Sequence, residues 1–319
     1  MTSPTVMVTG GAGFIGSNLT DALLAEGAAV HAVDDLSHGQ RSRIPPQAEF
    51  HELDIRDAAA LRAVTEAARP GVIFHLAAQA DVRRALQEPS FDAAVNIIGT
   101  IAVLEAAHAV GARVVFASTG GAGYGEYEGL SVPSPETAET RPLSHYGMSK
   151  MAGEGYIHTY GRLYGLEGVC LRLGNVYGPR QDPHGEAGVV AIFCGKMLDD
   201  EAPRVFGDGL QTRDYVYVAD VCRAFLAAAA GPAGETVNIG AGHEVTVLDL
   251  IAGLGGEVAP EFAPARQGEL QRSCLDPAKA AQLYGWHAEM PLADGLQATL
   301  ASVAATRADP GGRPVGAFG

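Results

Sequence analysis

The chain has 319 residues, 47% of them hydrophobic and 18% charged, which is typical of a globular protein with one large domain or two cooperating lobes. Its 22 Lys and Arg residues against 37 Asp and Glu residues give a net charge of −15, which disfavours nonspecific contact with nucleic acid or anionic lipid. No signal-peptide pattern or apolar run near the ~20 residues of a membrane span is evident, so we expect no membrane partner. Four cysteines without paired spacing predict reduced thiols, no metal and a cytoplasmic protein.

Short apolar runs alternate with helical patterns along the first half of the chain. The runs are 5–9, 28–33, 71–77, 113–118 and 168–173, and the helical segments are 16–26, 57–68, 92–110 and 146–165. Near-continuous apolar strands suit a parallel sheet that is covered on both faces. The pattern therefore predicts an α/β protein with a Rossmann-type doubly wound parallel sheet.

The rhythm changes after residue 176, where Gly and Pro become frequent. We expect a dinucleotide-binding domain over 1–176, to which 213–242 returns, and a smaller mixed α/β substrate lobe over 177–307, interleaved with it. The segment 308–319 is rich in Gly and Pro, which predicts a flexible tail.

A glycine-rich turn lies between the first strand and the first helix. MVTGGAGFIGS (7–17) spaces Gly10, Gly13 and Gly16 as a tight turn, a close approach to a pyrophosphate and a close helix contact require. Asp34 follows Gly16 at about the distance expected of a ribose-binding acid, and Asp54 ends a third strand where it could meet an adenine. An acidic Asp34 favours NAD over NADP.

A tyrosine and a lysine are spaced for one face of a helix. SHYGMSK (144–150) places Tyr146 and Lys150 at i and i+4. An ammonium near a phenol favours the phenolate and brings its pKa toward neutrality, so Tyr146 could act as a base toward an alcohol.

Five motifs follow one another along the chain: GGAGFIG, HLAAQADVRRALQEP (75–89), YGMSK, RLGNVYGPRQDP (172–183) and TRDYVYVAD (212–220). They occur in the order found in the extended short-chain dehydrogenase/reductases, and the chain resembles the NAD-dependent epimerase/dehydratase family. It is most similar to the nucleotide-sugar 4-epimerases of the UDP-glucose (UDP-galactose) type. The cofactor-binding candidates are Gly10, Gly13, Phe14, Ile15, Gly16, Asp34, Asp35, Asp54, Ile55, Leu76, Ala77, Ala78, Gln79, Asn96 and Lys150.

The resemblance implies a redox-neutral inversion at carbon 4 of a UDP-hexose. Tyr146 would take the proton of the 4-hydroxyl while NAD takes the hydride, and Lys150 would bind the nicotinamide ribose. The 4-keto sugar would then turn and receive the hydride on its other face. The family's sugar-binding hydroxyl falls on Thr119, with Ser118 as its neighbour.

Three further residues match the substrate contacts of the family. Asn175 corresponds to a nucleotide-sugar contact, and Arg213 and Arg266 correspond to the arginines that hold the diphosphate. Related glucuronate 4-epimerases read GPRQRP where this chain has Asp182, which favours a neutral sugar. Ser273 stands where some hexose epimerases carry a tyrosine, so UDP-GlcNAc/UDP-GalNAc also stay open.

The stretch STGGAGYGE (118–126) resembles a second phosphate loop, but no helix is expected directly after its glycines. We interpret it as the floor of the sugar site, where the glycines leave room for the ring. It lacks the Asp-Glu pair of the 4,6-dehydratases, which disfavours that alternative. UDP-glucuronate epimerisation and a reductase remain open, and the intact Tyr146–Lys150 pair disfavours a non-catalytic NAD sensor. The resemblance also implies a homodimer through the helices near 92–110 and 146–165.

Overall fold

The computed structural model describes residues 3–183, 188–255, 259–266, 270–309 and 311–318. Its centre is a seven-stranded parallel sheet. The strands are β1 (Thr5–Thr9), β2 (Ala29–Asp34), β3 (Glu49–Glu52), β4 (Val72–His75), β5 (Arg113–Thr119), β6 (Gly168–Leu173) and β11 (Thr236–Ile239). Their order across the sheet is β11-β6-β5-β4-β1-β2-β3. This sheet confirms the predicted fold class.

Helices cover both faces of the sheet. They are α1 (Phe14–Ala25), α2 (Ala58–Ala68), α3 (Val82–Gln87), α4 (Pro89–Ala93), α5 (Gly99–Val110), α6 (Gly121–Tyr124), α7 (His145–Tyr164), α9 (Val218–Ala230) and α11 (Ala278–Tyr284). Helices α1 and α9 pack on one face around Leu19 and Phe225, and α2, α5 and α7 pack on the other face around Leu61 and Ile157. A π-helical turn (Ala94–Ile98) joins α4 to α5.

A second lobe is built from short strand pairs and three helices around its own apolar cluster. Its parts are β7 (Asn175–Tyr177), α8 (Val189–Leu198), β8 (Arg204–Phe206), β9 (Thr212–Arg213), β10 (Tyr215–Tyr217), β12 (Val245–Thr246), α10 (Val247–Leu254), β13 (Glu261–Ala263) and α12 (Leu292–Ala308). The pairs are β7 with β10, β9 with β12 and β8 with β13. From this lobe the chain returns through α9 to the sheet edge at β11.

The segment Pro89–Val110 is long and apolar enough to cross a membrane by length and composition. Our expectation that no apolar run approaches that length is therefore wrong. In the structure, α5 contributes Ala102, Val103 and Leu104 to the core cluster beneath the sheet, which is the packing of a core helix.

The end of the described chain packs against α1. Ala317 donates its backbone N–H to Asn18, Arg313 pairs with Asp21, and Arg180 donates to the carbonyl of Pro314 at 3.0 Å. These contacts contradict our expectation of a flexible tail over the described residues 311–318, while residues 310 and 319 lie outside the described residues. The reason is that Asn18 and Asp21 offer acceptors that the tail backbone and Arg313 can reach.

Candidate functional site

A cleft lies at the carboxyl ends of β1, β2, β3 and β4, where open α/β sheets bind their ligands. Its lining includes ten of the predicted cofactor residues: Gly10, Gly13, Asp34, Asp35, Asp54, Ile55, Leu76, Ala77, Ala78 and Gln79. The structure therefore brings together residues from four separate loops. Sequence reasoning missed Ser37, His38, Gly39, Arg84, Phe91 and Val95, which line the same cleft.

The glycines of the first loop allow backbone segments to lie in close contact. Gly10 has φ +73°, and a Cβ there would lie 2.7 Å from the backbone nitrogen of Ala77. A Cβ on Gly16 would lie 2.1 Å from the carbonyl oxygen of Gly10. Phe14 and Ile15 open α1 and pack on the core. Gly13 lines the cleft directly before α1, so the helix N-terminus faces the position where a pyrophosphate would fit.

Asp34 is buried at the end of β2, and its carboxylate shapes the loop around it. It accepts hydrogen bonds from the backbone N–H groups of Ala12 and Leu36, both at 2.9 Å. Burial raises the pKa of this carboxyl, while the two N–H groups act in the opposite direction. A Cβ on Gly39 would lie 2.6 Å from Oδ1 of Asp34. Each carboxylate oxygen retains acceptor capacity for a ribose hydroxyl.

Asp35 and Asp54 line the same cleft as Asp34. Asp35 accepts from the hydroxyl of Ser37 at 2.6 Å, and Asp54 pairs with Arg56, which lowers the pKa of the Asp54 carboxyl. Asp54 lies two residues beyond the end of β3, so our expectation that it ends the strand differs slightly from the structure. Of the two arginines after β2, Arg41 stacks on Phe50 and Arg43 is buried.

Asn96 lies in the π-helical turn and does not line the cleft itself. Its Oδ1 accepts the backbone N–H of Gln79 at 2.9 Å, and its Nδ2 donates to Gln79 O at 2.9 Å and to Ser149 Oγ at 3.1 Å. Asn96 thus joins the loop after β4 to α7. π-helical turns occur frequently at functional sites, but this one could not be recognised in the sequence.

Tyr146 and Lys150 lie in the first turns of α7, which Ser144 caps through the backbone N–H of Gly147. Lys150 Nζ donates to the carbonyl of Ala117 at 2.9 Å and lies 4.7 Å from the ring centre of Phe116. Burial lowers the pKa of Lys150 to about 8, which Asp92 and Glu154 oppose.

The pKa of Tyr146 is raised to about 12 by burial and by the charge of Asp92, although part of the residue remains exposed. This direction contradicts our expectation that Lys150 brings the phenol toward neutrality. Burial disfavours the phenolate, and the negative charge of Asp92 disfavours it further.

The hydroxyl of Ser118 belongs to a buried network beneath the site. It donates to Glu154 at 2.5 Å, Glu154 forms a bidentate pair with Arg172, and Arg172 donates to Tyr124 at 2.9 Å. Because this contact engages the hydroxyl proton of Ser118 with a carboxylate, it disfavours Ser118 as a donor to a substrate, and its assignment as a catalytic group stays a prediction. Thr119 points to the opposite face of β5 from Ser118, since side chains alternate along a strand.

The second glycine-rich stretch contains a helical turn, α6, that the sequence did not predict. Its glycines are closely packed by neighbours. A Cβ on Gly120 would lie 2.4 Å from Leu275, one on Gly121 would lie 2.8 Å from Ser273, and one on Gly123 would lie 2.8 Å from Met151. The space that we assigned to a sugar ring is, at these Cβ positions, occupied by protein side chains.

The predicted substrate residues lie in the second lobe. Asn175 is exposed and donates its backbone N–H to the backbone carbonyl of Asp214, and Arg213 ends β9 directly before Asp214. The Asp214 carboxylate accepts from three backbone N–H groups, those of Ala241, Gly242 and Leu275. Arg266 lies 3.6 Å from the ring centre of Phe206, and residues 267–269 of its motif lie outside the described residues. Asp182 is exposed, and its charge acts on Arg43.

His31, Glu49 and His51 form a group on the outer strands β2 and β3 that could hold a metal ion. Nδ1 of His31 and Nε2 of His51 are 3.1 Å apart, and the ring planes differ by 11° with centres 5.4 Å apart. Each ring nitrogen lies about 1.15 Å from its ring centre, so two nitrogens 3.1 Å apart between centres 5.4 Å apart must lie nearly on the line that joins the centres. This is the arrangement of an N–H···N hydrogen bond. Lone pairs that share a metal would instead converge beside that line.

The fold and the cleft define a dinucleotide-dependent enzyme with a tyrosine–lysine pair at its reaction site. Residues 6–240 match the NAD dependent epimerase/dehydratase family, and the chain belongs to that family. It is 45% identical over 306 residues to the UDP-glucose 4-epimerase of Mycolicibacterium smegmatis, covering 92% of this chain and 96% of the relative.

Two solved structures are similar over almost the whole chain. The UDP-glucose 4-epimerase of Thermotoga maritima with UDP-glucose has a TM-score of 0.93 and 44% identity, covering 95% of this chain and 99% of that one. The UDP-glucose 4-epimerase of Thermus thermophilus in complex with NAD has a TM-score of 0.88 and 41% identity, covering 94% and 99%.

Proposed function

We propose that this protein is a UDP-glucose 4-epimerase that interconverts the C4 epimers of a UDP-hexose with tightly held NAD. The observation that carries the proposal is that one chain combines a cofactor cleft with a Tyr146–Lys150 pair. UDP-glucose 4-epimerases are similar to this chain over almost its whole length. Gly10, Gly13, Asp34 and the loop after β4 would hold NAD, since they offer a close backbone approach and a buried acceptor.

The chain's own groups divide the work at carbon 4. Tyr146 would accept the proton of the 4-hydroxyl and return it after the keto sugar has turned. Lys150, held by the carbonyl of Ala117, would bind the nicotinamide ribose and stabilise the phenolate. When bound, NAD supplies the hydride acceptor, and the positive charge of its nicotinamide also favours the phenolate. Thr119 would hydrogen-bond the oxygen on carbon 4.

The second lobe would bind the UDP portion. Arg213 and Arg266 are suited to the diphosphate, since guanidinium groups bind phosphate oxygens in a bidentate manner. Asn175 is exposed on β7 where it could contact the nucleotide sugar. Because Ser273 lies against Gly121 at the loop after β5, its size would influence which hexose is accepted. Asp182 would disfavour a sugar that carries a carboxylate.

Incubation with separate nucleotide sugars tests this function. Purified protein is given UDP-Glc, UDP-GlcNAc or UDP-GlcA, and the epimers are separated by chromatography. We expect conversion of UDP-Glc to UDP-Gal without added reductant, since the net reaction is redox-neutral. Conversion of UDP-GlcA alone would refute our interpretation of Asp182, and release of a dehydrated sugar would show a dehydratase.

Replacement of Tyr146 by Phe tests the proposed base. Tyr146→Phe should lower kcat by about 10²–10⁴-fold, since it removes the proton acceptor, while bound NAD is retained. Ser118→Ala is a suitable comparison, because Ser118 is engaged with Glu154 and should affect kcat far less. Full activity in Tyr146→Phe would reject the assignment.

We also propose a cytoplasmic homodimer. Four cysteines are free and buried, which suits a reducing compartment. Large apolar side chains are exposed along the π-helical turn and α7, including Ile98 at 57%, Met148 at 57% and Leu163 at 66%.

Light scattering should show that the wild type is a dimer and that Leu163→Glu dissociates it. Leu210→Glu, at an equally exposed leucine of the second lobe, should leave it intact. A wild-type monomer at micromolar concentration would exclude this assembly.

A further inference from the structure

Asp92 is a buried acid that the proposed chemistry does not use. It lies in α4, only 1% exposed, directly before the π-helical turn. Its Oδ1 accepts from Nε2 of Gln79 at 3.3 Å and from Nδ2 of Asn96 at 3.0 Å. A buried carboxylate is costly unless it is hydrogen-bonded or faces a positive charge, and the amide groups of Gln79 and Asn96 meet part of that requirement.

The contacts of Asp92 extend in two directions. Toward the cofactor cleft, they include Gln79, whose side chain also holds Asp81 through two hydrogen bonds. Toward α7, they continue from Asn96 to Ser149 Oγ at 3.1 Å and from there to the backbone carbonyl of Tyr146 at 3.0 Å. One carboxylate thus joins the loop that lines the cleft to the turn that carries the tyrosine.

We propose that Asp92 is a positioning residue that fixes Tyr146 relative to the cofactor loop and supplies a counter-charge for Lys150. Burial alone would favour a neutral lysine, and a neutral lysine would not stabilise a phenolate. This inference rests on the proposed 4-epimerase activity only for its kinetic readout.

Of the other titratable groups near Asp92, Glu154 and Arg84 have ion-pair partners of their own, and His75 is neutral. Glu154 forms its bidentate pair with Arg172. Arg84, on α3 beside α4, pairs with Glu88 and stacks on Phe91. His75, under the same strand ends, is neutral because burial and Lys150 lower its pKa to about 3.

The charges of Asp92 and Glu154 both raise the pKa of Lys150. Asp92 raises the pKa of Tyr146 as well. Removal of its charge should therefore lower both pKa values, which distinguishes an electrostatic role from a loss of structure.

The test replaces Asp92 by Asn, which keeps an acceptor oxygen and removes the charge. The acid and alkaline limbs of the pH profile of kcat/KM report the pKa values of the essential base and acid. We expect both limbs to move to lower pH, by about half a pH unit or more. Asp92→Ser, which also removes the charge, serves if Asp92→Asn does not fold. Limbs that stay in place, whatever the loss of rate, would overturn the charge role.

Asp220→Asn is the matched control. Asp220 is also buried, in the first turn of α9 on the other face of the sheet, and accepts from the backbone N–H groups of Glu289 and Met290. Asp220→Asn should lower stability and leave both limbs of the pH profile in place, and an equal shift in this variant would also overturn the inference.

Ser149→Ala keeps the charge of Asp92 but breaks the link to Tyr146, so it should lower kcat several-fold and leave both limbs of the pH profile in place. An unchanged kcat would reject the positioning role.

A spectroscopic titration separates this inference from the proposed function. The near-ultraviolet absorbance of the Tyr146 phenolate is obtained as the difference between each protein and its Tyr146→Phe counterpart. In the Asp92→Asn background it should appear at lower pH than in the wild type. If the wild type converts no nucleotide sugar, the proposed function fails, whereas this titration still decides the role of Asp92.

Discussion

The two glycine-rich loops of this chain look alike in sequence and differ in the structure. The first, Gly10 to Gly16, packs backbone against backbone and leaves its outer side open to the cofactor cleft. In the second, the side chains of Leu275, Ser273 and Met151 occupy the Cβ positions of Gly120, Gly121 and Gly123, and only the last glycine, Gly125, packs against backbone, at the carbonyl of Arg141. Glycine content therefore indicates a close approach in both loops, but only the neighbours decide whether a ligand or the protein itself makes that approach.

The largest expected effect in this comparison comes from Gly16→Ala. The new Cβ would meet the carbonyl of Gly10 at 2.1 Å, and backbone on both sides cannot yield easily. We expect a loss of about 3 kcal/mol or more in the free energy of unfolding, which is the upper range of overpacking. NAD affinity, measured by calorimetry, should fall by about 100-fold or more because the turn is displaced.

Two other glycines calibrate that result. Gly13→Ala brings its Cβ only to 3.2 Å from Gly10 and should weaken NAD binding with less loss of stability. Gly155, in α7, has open space around its Cβ position, so Gly155→Ala should be neutral or stabilising. Equal stability of Gly16→Ala and Gly155→Ala would contradict the packing described for the first loop.

A second effect concerns the support of the first loop. His75 is fully buried between the hydroxyls of Thr9 and Thr100, at 2.8 and 2.9 Å, and its pKa is lowered to about 3. Between pH 6.5 and 3 the unfolded chain binds a proton that the native His75 does not, so stability falls as the pH falls through this window. From pH 7 to pH 5 this group should cost roughly 2 kcal/mol, measured by urea unfolding at each pH.

His75→Gln provides the comparison for that pH dependence. The variant should be less stable at pH 7, because one of its two hydrogen bonds is lost, but its stability should decline less toward pH 5. The same decline in both proteins would mean that another group causes the acid sensitivity.

The smallest expected effect is that of Gly120→Ala in the second loop. The new Cβ would meet the methyl groups of Leu275 at 2.4 and 2.6 Å, and the end of a side chain can move. We expect a loss of about 1–2 kcal/mol in the free energy of unfolding and no change in NAD affinity. In a double-mutant cycle with Leu275→Ala, part of this loss should disappear. A loss of NAD affinity as large as that of Gly13→Ala would show that the second loop also contacts the cofactor.

The sheet and the cofactor cleft could be predicted because their signals are local. Apolar runs mark buried parallel strands, and the spacing of Gly10, Gly13, Gly16 and Asp34 follows from one strand–turn–helix unit. The end of β3 was placed too late, since LDI reads as strand although the strand ends at Glu52.

The remaining features depend on contacts between distant segments. The partner of Ser118 is Glu154, 36 residues away, and the sequence around Ser118 does not indicate this contact. The raised pKa of Tyr146 depends on its burial and on the charge of Asp92, and neither can be read from the tyrosine–lysine motif itself. The helical turn α6 was missed because four residues with two glycines carry little helix propensity.

The docking of residues 311–318 on α1 has a consequence for how the chain folds. The hydrogen bond from Ala317 to Asn18 joins groups separated by 299 positions. During synthesis, α1 emerges long before this segment, so the side-chain oxygen of Asn18 is hydrated until Ala317 is available, whereas Asp21 can already pair with Arg180. We expect the docking of residues 311–318 to be a late, non-local event of folding, because it closes a much longer loop than the local assembly of each βαβ unit does.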